Sequence, residues 1–274
     1  QHPNIVAIHE VGQHDGQHYF SMDYVEGKSL AELVREDPLP AAKAAALVKT
    51  IAEAIHYAHQ RGTLHRDLKP SNVLMDASGQ PRITDFGLAK RFGVPPLGGS
   101  GGRIPAEAGT PSELTQTGAV MGSPSYMSPE QAAAKHDLVG PTSDVYSIGA
   151  MLYHLLTGRA PFVGETPAAT LRKAMDDEPV ALRKLNPKIP PDLETICLKC
   201  LEKGTDRRYH SARELAEELA RFLNHEPILA RPASRVRKTW HWLQNHPWVV
   251  TGAGTLVCLA LISVTFAIWQ QSKA

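Results

Sequence analysis

The sequence predicts an α+β unit, mostly helical, followed by one membrane-spanning helix. Three observations predict it. Two alternating runs within the first 25 residues read as strands, and apolar stripes at helical spacing recur between residues 41 and 224. Near the C-terminus, an uncharged run is long enough to cross a bilayer. The formal net charge of +1 over 274 residues gives no electrostatic footprint for nucleic acid, so none is expected as a partner.

The elements follow in order. Residues 5–11 and 18–24 alternate apolar and polar positions, and the Gly- and Asp-containing segment between them reads as a turn. His2, His9, His14 and His18 in this region follow no i, i+4 spacing and have no repeated acidic partner, which favours solvated histidines over a metal cluster. A helix is expected from about Ala41 to Gln60, with Leu47, Val48, Ile51, Ile55 and Ala58 as its buried stripe and Gly62 at the left-handed position that ends it. Residues 93–111, rich in Gly and Pro without an apolar period, read as a flexible loop. Val145, Ile148, Leu152, Leu155 and Leu156 mark a helix ending at Gly158. Thr166 and Pro167 supply the cap and first position of another. Ser211 and Glu214 form a capping box for a last helix reaching about Asn224, which Pro227 terminates. Cys197 and Cys200 fall on the stripe Leu193, Ile196, Cys197, Cys200, Leu201, so core packing is favoured over metal or redox chemistry.

Residues 248–269 contain no charge, and Trp248 and Trp269 bracket them. About 22 positions at 1.5 Å each span roughly 33 Å as a helix, enough for the hydrocarbon core. A buried hairpin or core helix is the alternative, and the length of uninterrupted apolarity favours the span. Arg231, Arg235, Arg237 and Lys238 precede it in a basic linker, residues 227–247, whereas only Lys273 follows in the stub 270–274. The positive-inside rule then predicts a single-pass protein of the cell membrane with residues 1–226 cytoplasmic. Anionic headgroups would suit the same basic cluster. Gly252 and Gly254 lack the four-residue spacing of a small-residue dimerisation motif.

The chemistry concentrates in His65-Arg66-Asp67-Leu68-Lys69-Pro70-Ser71-Asn72 and in Asp85-Phe86-Gly87. Asp67 is the candidate base, able to orient a hydroxyl nucleophile and accept its proton. Lys69 offers a point charge beside a transferring phosphate. Asn72 and Asp85 offer hard oxygen ligands of the kind magnesium takes beside substrate phosphates. Together they are the parts that phosphoryl transfer from ATP requires.

These two segments resemble the catalytic and metal-binding loops of eukaryotic-type (Hanks-type) serine/threonine protein kinases, and the whole resembles bacterial transmembrane receptor kinases. The resemblance implies an α+β protein-kinase-like fold: a remnant of the small-lobe sheet and hinge in residues 1–25, and the helical large lobe in residues 26–226. It implies ATP and Mg2+ as cofactors and protein Ser/Thr hydroxyls as substrates. Met22 is similar to the gatekeeper, the backbone of Asp23 and Val25 to the adenine-binding hinge, and Leu74 to the floor under the ring. Residues 122–130 resemble the peptide-positioning segment that closes the activation segment 85–130, with Ser128 in place of the usual alanine. In that pattern Ser123 contacts Asp67 and Lys69, Glu130 pairs with Arg207 in a buried ion pair, and Asp144 holds the catalytic-loop backbone. Arg66 beside the base implies activation by phosphorylation, for which Thr115 and Thr117 resemble autophosphorylated threonines.

Residues 2–6 look like the segment after the small lobe's regulatory helix. The resemblance therefore implies a chain that starts inside that lobe, a fragment without the glycine-rich loop and small-lobe lysine, and weak in catalysis by itself. Two readings of different class follow for the intact protein. One is a membrane-anchored kinase, for which a homodimer is compatible; the other is a catalytically silent receptor or scaffold. Retention of Asp67, Lys69, Asn72 and Asp85 favours the enzyme. A small-molecule phosphotransferase is disfavoured by residues 122–130.

Overall fold

The computed structural model describes residues 1–14, 17–35, 37–86 and 124–230. The chain divides into two units, Gln1–Arg231 and Pro232–Ala274, and every described residue lies in the first. The expected loop 93–111, Thr115, Thr117, Ser123, the basic linker from residue 231 onward and the expected span 248–269 lie outside the described residues. No described helix is long and apolar enough to cross a membrane.

Strands β1 (Ile8–His14) and β2 (Gln17–Met22) form an antiparallel hairpin with Ile8 opposite Met22. The first strand starts three residues later than its alternation predicts. Residues 4–6 pair elsewhere, in a bridge of Ile5 to Ile83: the Val6 N–H donates to Ile83 O at 2.8 Å, and the Ile83 N–H donates to Asn4 O at 2.8 Å. One apolar run thus serves two partners, which period-2 patterning cannot distinguish. A second antiparallel sheet runs β3 (Lys28–Ser29), β4 (Val73–Met75), β5 (Pro81–Ile83).

The helical part begins with a short α1 (Leu30–Leu33), capped by Ser29 and Glu32 in a full capping box. Helix α2 (Ala41–His59) buries the predicted stripe together with alanines 44, 45, 52 and 54. Gly62 adopts φ +71 just beyond it, the left-handed conformation that glycine enters without steric cost. A single turn, α3 (Pro129–Ala132), leads to α4 (Pro141–Thr157), which Gly158 ends at φ +75.

Helix α4 departs from its predicted amphipathic character: Ser143 to Tyr153 are buried at every position. It is wrapped by α2, α7 (Pro191–Cys200) and α8 (Ala212–Leu223), so its polar residues must find partners inside the protein. Between α4 and α7 lie α5 (Pro167–Asp176), capped by Thr166 Oγ1 on the Ala169 N–H, and α6 (Leu182–Leu185).

Cys197 and Cys200 are fully buried in the α4–α7 contact, and burial pushes the Cys200 thiol up to about 12. Gly149 makes that contact possible, since a Cβ there would stand 2.3 Å from Cys200 Cβ. The capping box of α8 is only half formed. Ser211 Oγ accepts the Glu214 N–H at 3.2 Å, but the Glu214 carboxylate takes the His210 N–H instead of returning to Ser211.

Candidate active site

The loop between α2 and β4 is built on one buried carboxylate. Asp144, in the first turn of α4, accepts the His65 N–H at 2.9 Å, the Arg66 N–H at 2.8 Å and His59 Nε2–H at 2.7 Å. Burial acts to raise the Asp144 carboxyl, but the His59 hydrogen bond and the other donors outweigh it and hold it below the usual carboxylate range. His59 sits at the end of α2, so the two longest helices meet the catalytic loop at a single residue. The sequence singled out Asp144 but not His59. The available signal was a histidine four residues past the apolar Ile55, on the face that α2 buries.

His65 is a second internal brace. Its Nδ1 accepts the Asp67 N–H at 3.3 Å, which leaves the proton on Nε2 to bond Thr84 O at 3.0 Å. Burial holds the imidazole below its ordinary value, in keeping with a neutral ring. That ring lies 4.6 Å from the ring of Phe86, centroid to centroid. The Thr84 N–H in turn donates to Asn72 O at 3.0 Å, and Thr84 Oγ1 lies 3.3 Å from Asp85 Oδ1. Sequence segments thirteen residues apart are stitched into one surface through Thr84, a residue the sequence did not single out.

On that surface, Lys69 Nζ donates to Asp67 Oδ2 at 2.9 Å. Asn72 Nδ2 donates to Asp67 O at 2.9 Å and lies 3.3 Å from Asp67 Oδ2. Both bonds fall on one oxygen of the Asp67 carboxylate; Oδ1 meets no donor among the described residues. Arg66 (φ +68) and Asp85 (φ +63) both sit in the left-handed region, an unfavourable conformation for side-chain-bearing residues that the surrounding bonds sustain. The Arg66 carbonyl accepts Gln131 Nε2–H at 2.9 Å, tying the catalytic loop to α3, while its guanidinium is exposed and meets no carboxylate among the described residues.

The residues expected at a nucleotide site lie on adjoining elements. Met22 ends β2, with its sulfur 3.6 Å from Thr84 Oγ1, and Leu74 lies in the middle of β4. The Asp23 N–H is spent on Ala7 O at 3.0 Å, and Val25 follows in irregular backbone. Asn72 spends its amide nitrogen on Asp67, its oxygen lies 3.5 Å from the Ser71 hydroxyl, and Asp85 is exposed. These two oxygen donors fit a magnesium ion that keeps most of its shell from phosphate and water. Among the described residues, no group of three or more His, Cys, Asp or Glu is placed to hold a metal.

One assignment is corrected. Glu130 pairs with Arg208, not Arg207: Oε1 and Oε2 receive the guanidinium at 2.7 and 2.8 Å. Arg207 ends a 3-10 turn, Thr205–Arg207, and is exposed, whereas extended backbone at Arg208 turns its side chain inward. The Arg208 Nε and remaining N–H groups bond Glu202 O, Thr142 O and Lys203 O, so all five donors are satisfied. Ser143 Oγ adds a third bond to Glu130 at 2.6 Å. Burial acts to raise the Glu130 carboxyl; the Arg208 and Ser143 bonds outweigh it and lower it.

A model of the protein kinase domain matches residues 1–249. The chain belongs to the protein kinase family. Among curated kinases, it is 34% identical over 225 residues to the serine/threonine-protein kinase PknB of Mycolicibacterium smegmatis, covering 80% of this chain and 33% of that one. A probable serine/threonine-protein kinase of Streptomyces coelicolor is 37% identical over 237 residues, with 85% and 33% covered. A probable PknB of Lactococcus lactis is 36% identical over 220 residues, with 80% and 32% covered. The chain thus spans about a third of the length of these kinases. Among solved structures, Rad53 in complex with AMP-PNP superposes with a TM-score of 0.61 at 23% identity, over 79% of this chain and 50% of that one, a likeness of fold.

Proposed function

We propose that the intact protein is a serine/threonine protein kinase that transfers the γ-phosphate of ATP to protein hydroxyls. The observation that carries this reading is the Asp67 carboxylate, with one oxygen held by Lys69 and Asn72 and the other without a donor among the described residues. That second oxygen orients the substrate hydroxyl and receives its proton as the new P–O bond forms. Lys69, already beside the carboxylate, supplies positive charge where the phosphoryl group gathers negative charge. Asn72 and Asp85 would hold magnesium, which draws the phosphates of ATP together and neutralises them. Met22, Leu74 and the backbone of Asp23 and Val25 would receive the adenine.

The exposed Arg66 guanidinium supports regulation by phosphorylation, with Thr115 or Thr117 as the acceptor. An arginine can bind a phosphate through two parallel bonds and so order the segment that carries it. The apolar run 248–269 supports a single-pass membrane anchor with the kinase unit cytoplasmic.

The test is transfer of labelled phosphate from ATP by the intact protein's cytoplasmic region, with Asp67→Asn alongside and phosphosites mapped. Incorporation that includes Thr115 or Thr117 and disappears in the variant is expected. Nucleotide binding without incorporation, from folded protein supplied with magnesium and test substrates, would favour the silent-receptor reading.

A further inference from the structure

Helix α8 ends in a turn that sends the chain back toward the helix it has just left. His225 sits in the left-handed region at φ +59, and the Glu226 N–H donates to Arg221 O at 2.8 Å. That bond is the long closure of a Schellman motif, here with histidine in the position glycine usually takes. The Arg221 guanidinium lies 3.7 Å from the Glu226 carboxylate across the same turn.

The return is fixed two residues after Pro227. Ile228 packs against the core, Leu229 is 71% exposed and Ala230 is buried. Glu218, in the middle of α8 and itself 3% exposed, meets the backbone of this segment. Its Oε1 accepts the Leu229 N–H at 2.7 Å, and its Oε2 accepts the Ala230 N–H at 2.7 Å. The Tyr209 hydroxyl lies 3.4 Å from Oε2, and Lys199 Nζ covers the Tyr209 ring at 4.2 Å from its centroid. Both oxygens of a buried carboxylate are thus committed to two adjacent amides, and bonds of this charge-assisted kind are stronger than neutral ones. Little else holds the segment: one buried alanine, one packed isoleucine and a strained histidine at its hinge. Such a segment belongs to the part of a fold that opens locally.

We propose that residues 225–230 form a strap and that Glu218 is the clasp that holds it shut, so that the strap opens while the rest of the fold stays closed. The clasp decides where the tether to the proposed membrane anchor begins. Closed, that tether is the 17 residues 231–247; open, it is the 23 residues 225–247. At about 3.5 Å per residue, its greatest reach goes from about 60 Å to about 80 Å. The tether rests on the single-pass reading given above, whereas the clasp does not.

The test is single-residue amide hydrogen exchange in the intact protein reconstituted into phosphatidylcholine vesicles. The Leu229 and Ala230 amides should be protected in the unsubstituted protein. Glu218→Gln keeps one acceptor and sets an NH2 donor against the other N–H. It should speed exchange at both residues by about tenfold or more, with the amides of α2 and α4 within about twofold. Glu218→Asp keeps the charge one methylene short of its partners. It should speed exchange by a smaller factor, and it carries the test if the glutamine variant does not fold. Unprotected amides at Leu229 and Ala230 in the unsubstituted protein overturn the proposal, as does unchanged exchange in the variants. So does a rise of equal size across α2 and α4, which would make Glu218 a residue of the whole fold. Failure of the protein to float with the vesicles overturns the anchor reading and the tether with it, while exchange still decides the clasp.

Discussion

Two ion pairs in this molecule are similar in length and opposite in purpose. Lys69–Asp67, at 2.9 Å, leaves Asp67 with 38% of its side chain exposed. Arg208–Glu130, at 2.7 Å, is shut away at 0% and 3%. In the first pair, one carboxylate oxygen is satisfied and the other meets no donor among the described residues. In the second, every guanidinium N–H and both carboxylate oxygens are spoken for. An incomplete set of bonds at an accessible carboxylate leaves room for a substrate, whereas a complete set in the interior leaves room for nothing and serves the fold. Distance alone would not have separated them; the accounting of donors and acceptors does.

The largest expected effect comes from Asp67→Asn, which keeps shape and removes the base. Transfer in the intact protein should fall by about 10²–10⁴-fold in a phosphate-incorporation assay, while the urea midpoint stays near that of the unsubstituted protein. A large drop in the urea midpoint would mean that the open pair is structural after all.

Arg208→Met attacks the other pair. It strands a buried carboxylate, so unfolding free energy should drop by about 3–5 kcal/mol, a large part of the stability of an ordinary domain. Arg207→Ala, one residue away and exposed, should change it by less than about 0.5 kcal/mol. Equal effects would undo the assignment of Arg208 as the partner of Glu130.

Acid should separate the two regions by stages. His65 is held below 6.5 in the folded state, so the unfolded chain takes up the proton first and stability begins to fall as pH drops through 6.5. Glu130 and Asp144 are held below 4.5 and 3.8, so their contributions are complete above those values and vanish as pH falls through the lowered folded ones. Urea melts between pH 8 and pH 3 should show the first decline near pH 6.5 and a steeper one below about 4.5. His65→Gln should remove part of the first decline without touching the second. A modest effect is expected at the half-formed box of α8, where Ser211→Ala should cost about 1 kcal/mol, read by the same melts.

Much of the helical frame was legible because local rules and packing agree. The stripe of α2, the glycines at 62 and 158, the caps at Thr166 and Ser211 and the buried Cys197 and Cys200 all follow from periods and cap chemistry that act within a few residues. The strand at the N-terminus was misplaced by three residues, because an extended apolar run does not state which edge it will join.

What the sequence determined by itself is therefore the candidate chemistry of the unit: Asp67, Lys69, Asn72 and Asp85 in an order that resembles the protein kinases, on a helical scaffold. The tertiary structure decided which groups meet. It brought His59 to Asp144 and Thr84 to His65, chose Arg208 over its neighbour Arg207, and tied both the loop at residues 65–66 and the turn ending at Tyr126 to α4. The reason is physical. Local conformation answers to backbone bonds a few residues apart, but the partner of a buried polar group is settled by whatever remains unsatisfied once distant segments close around it.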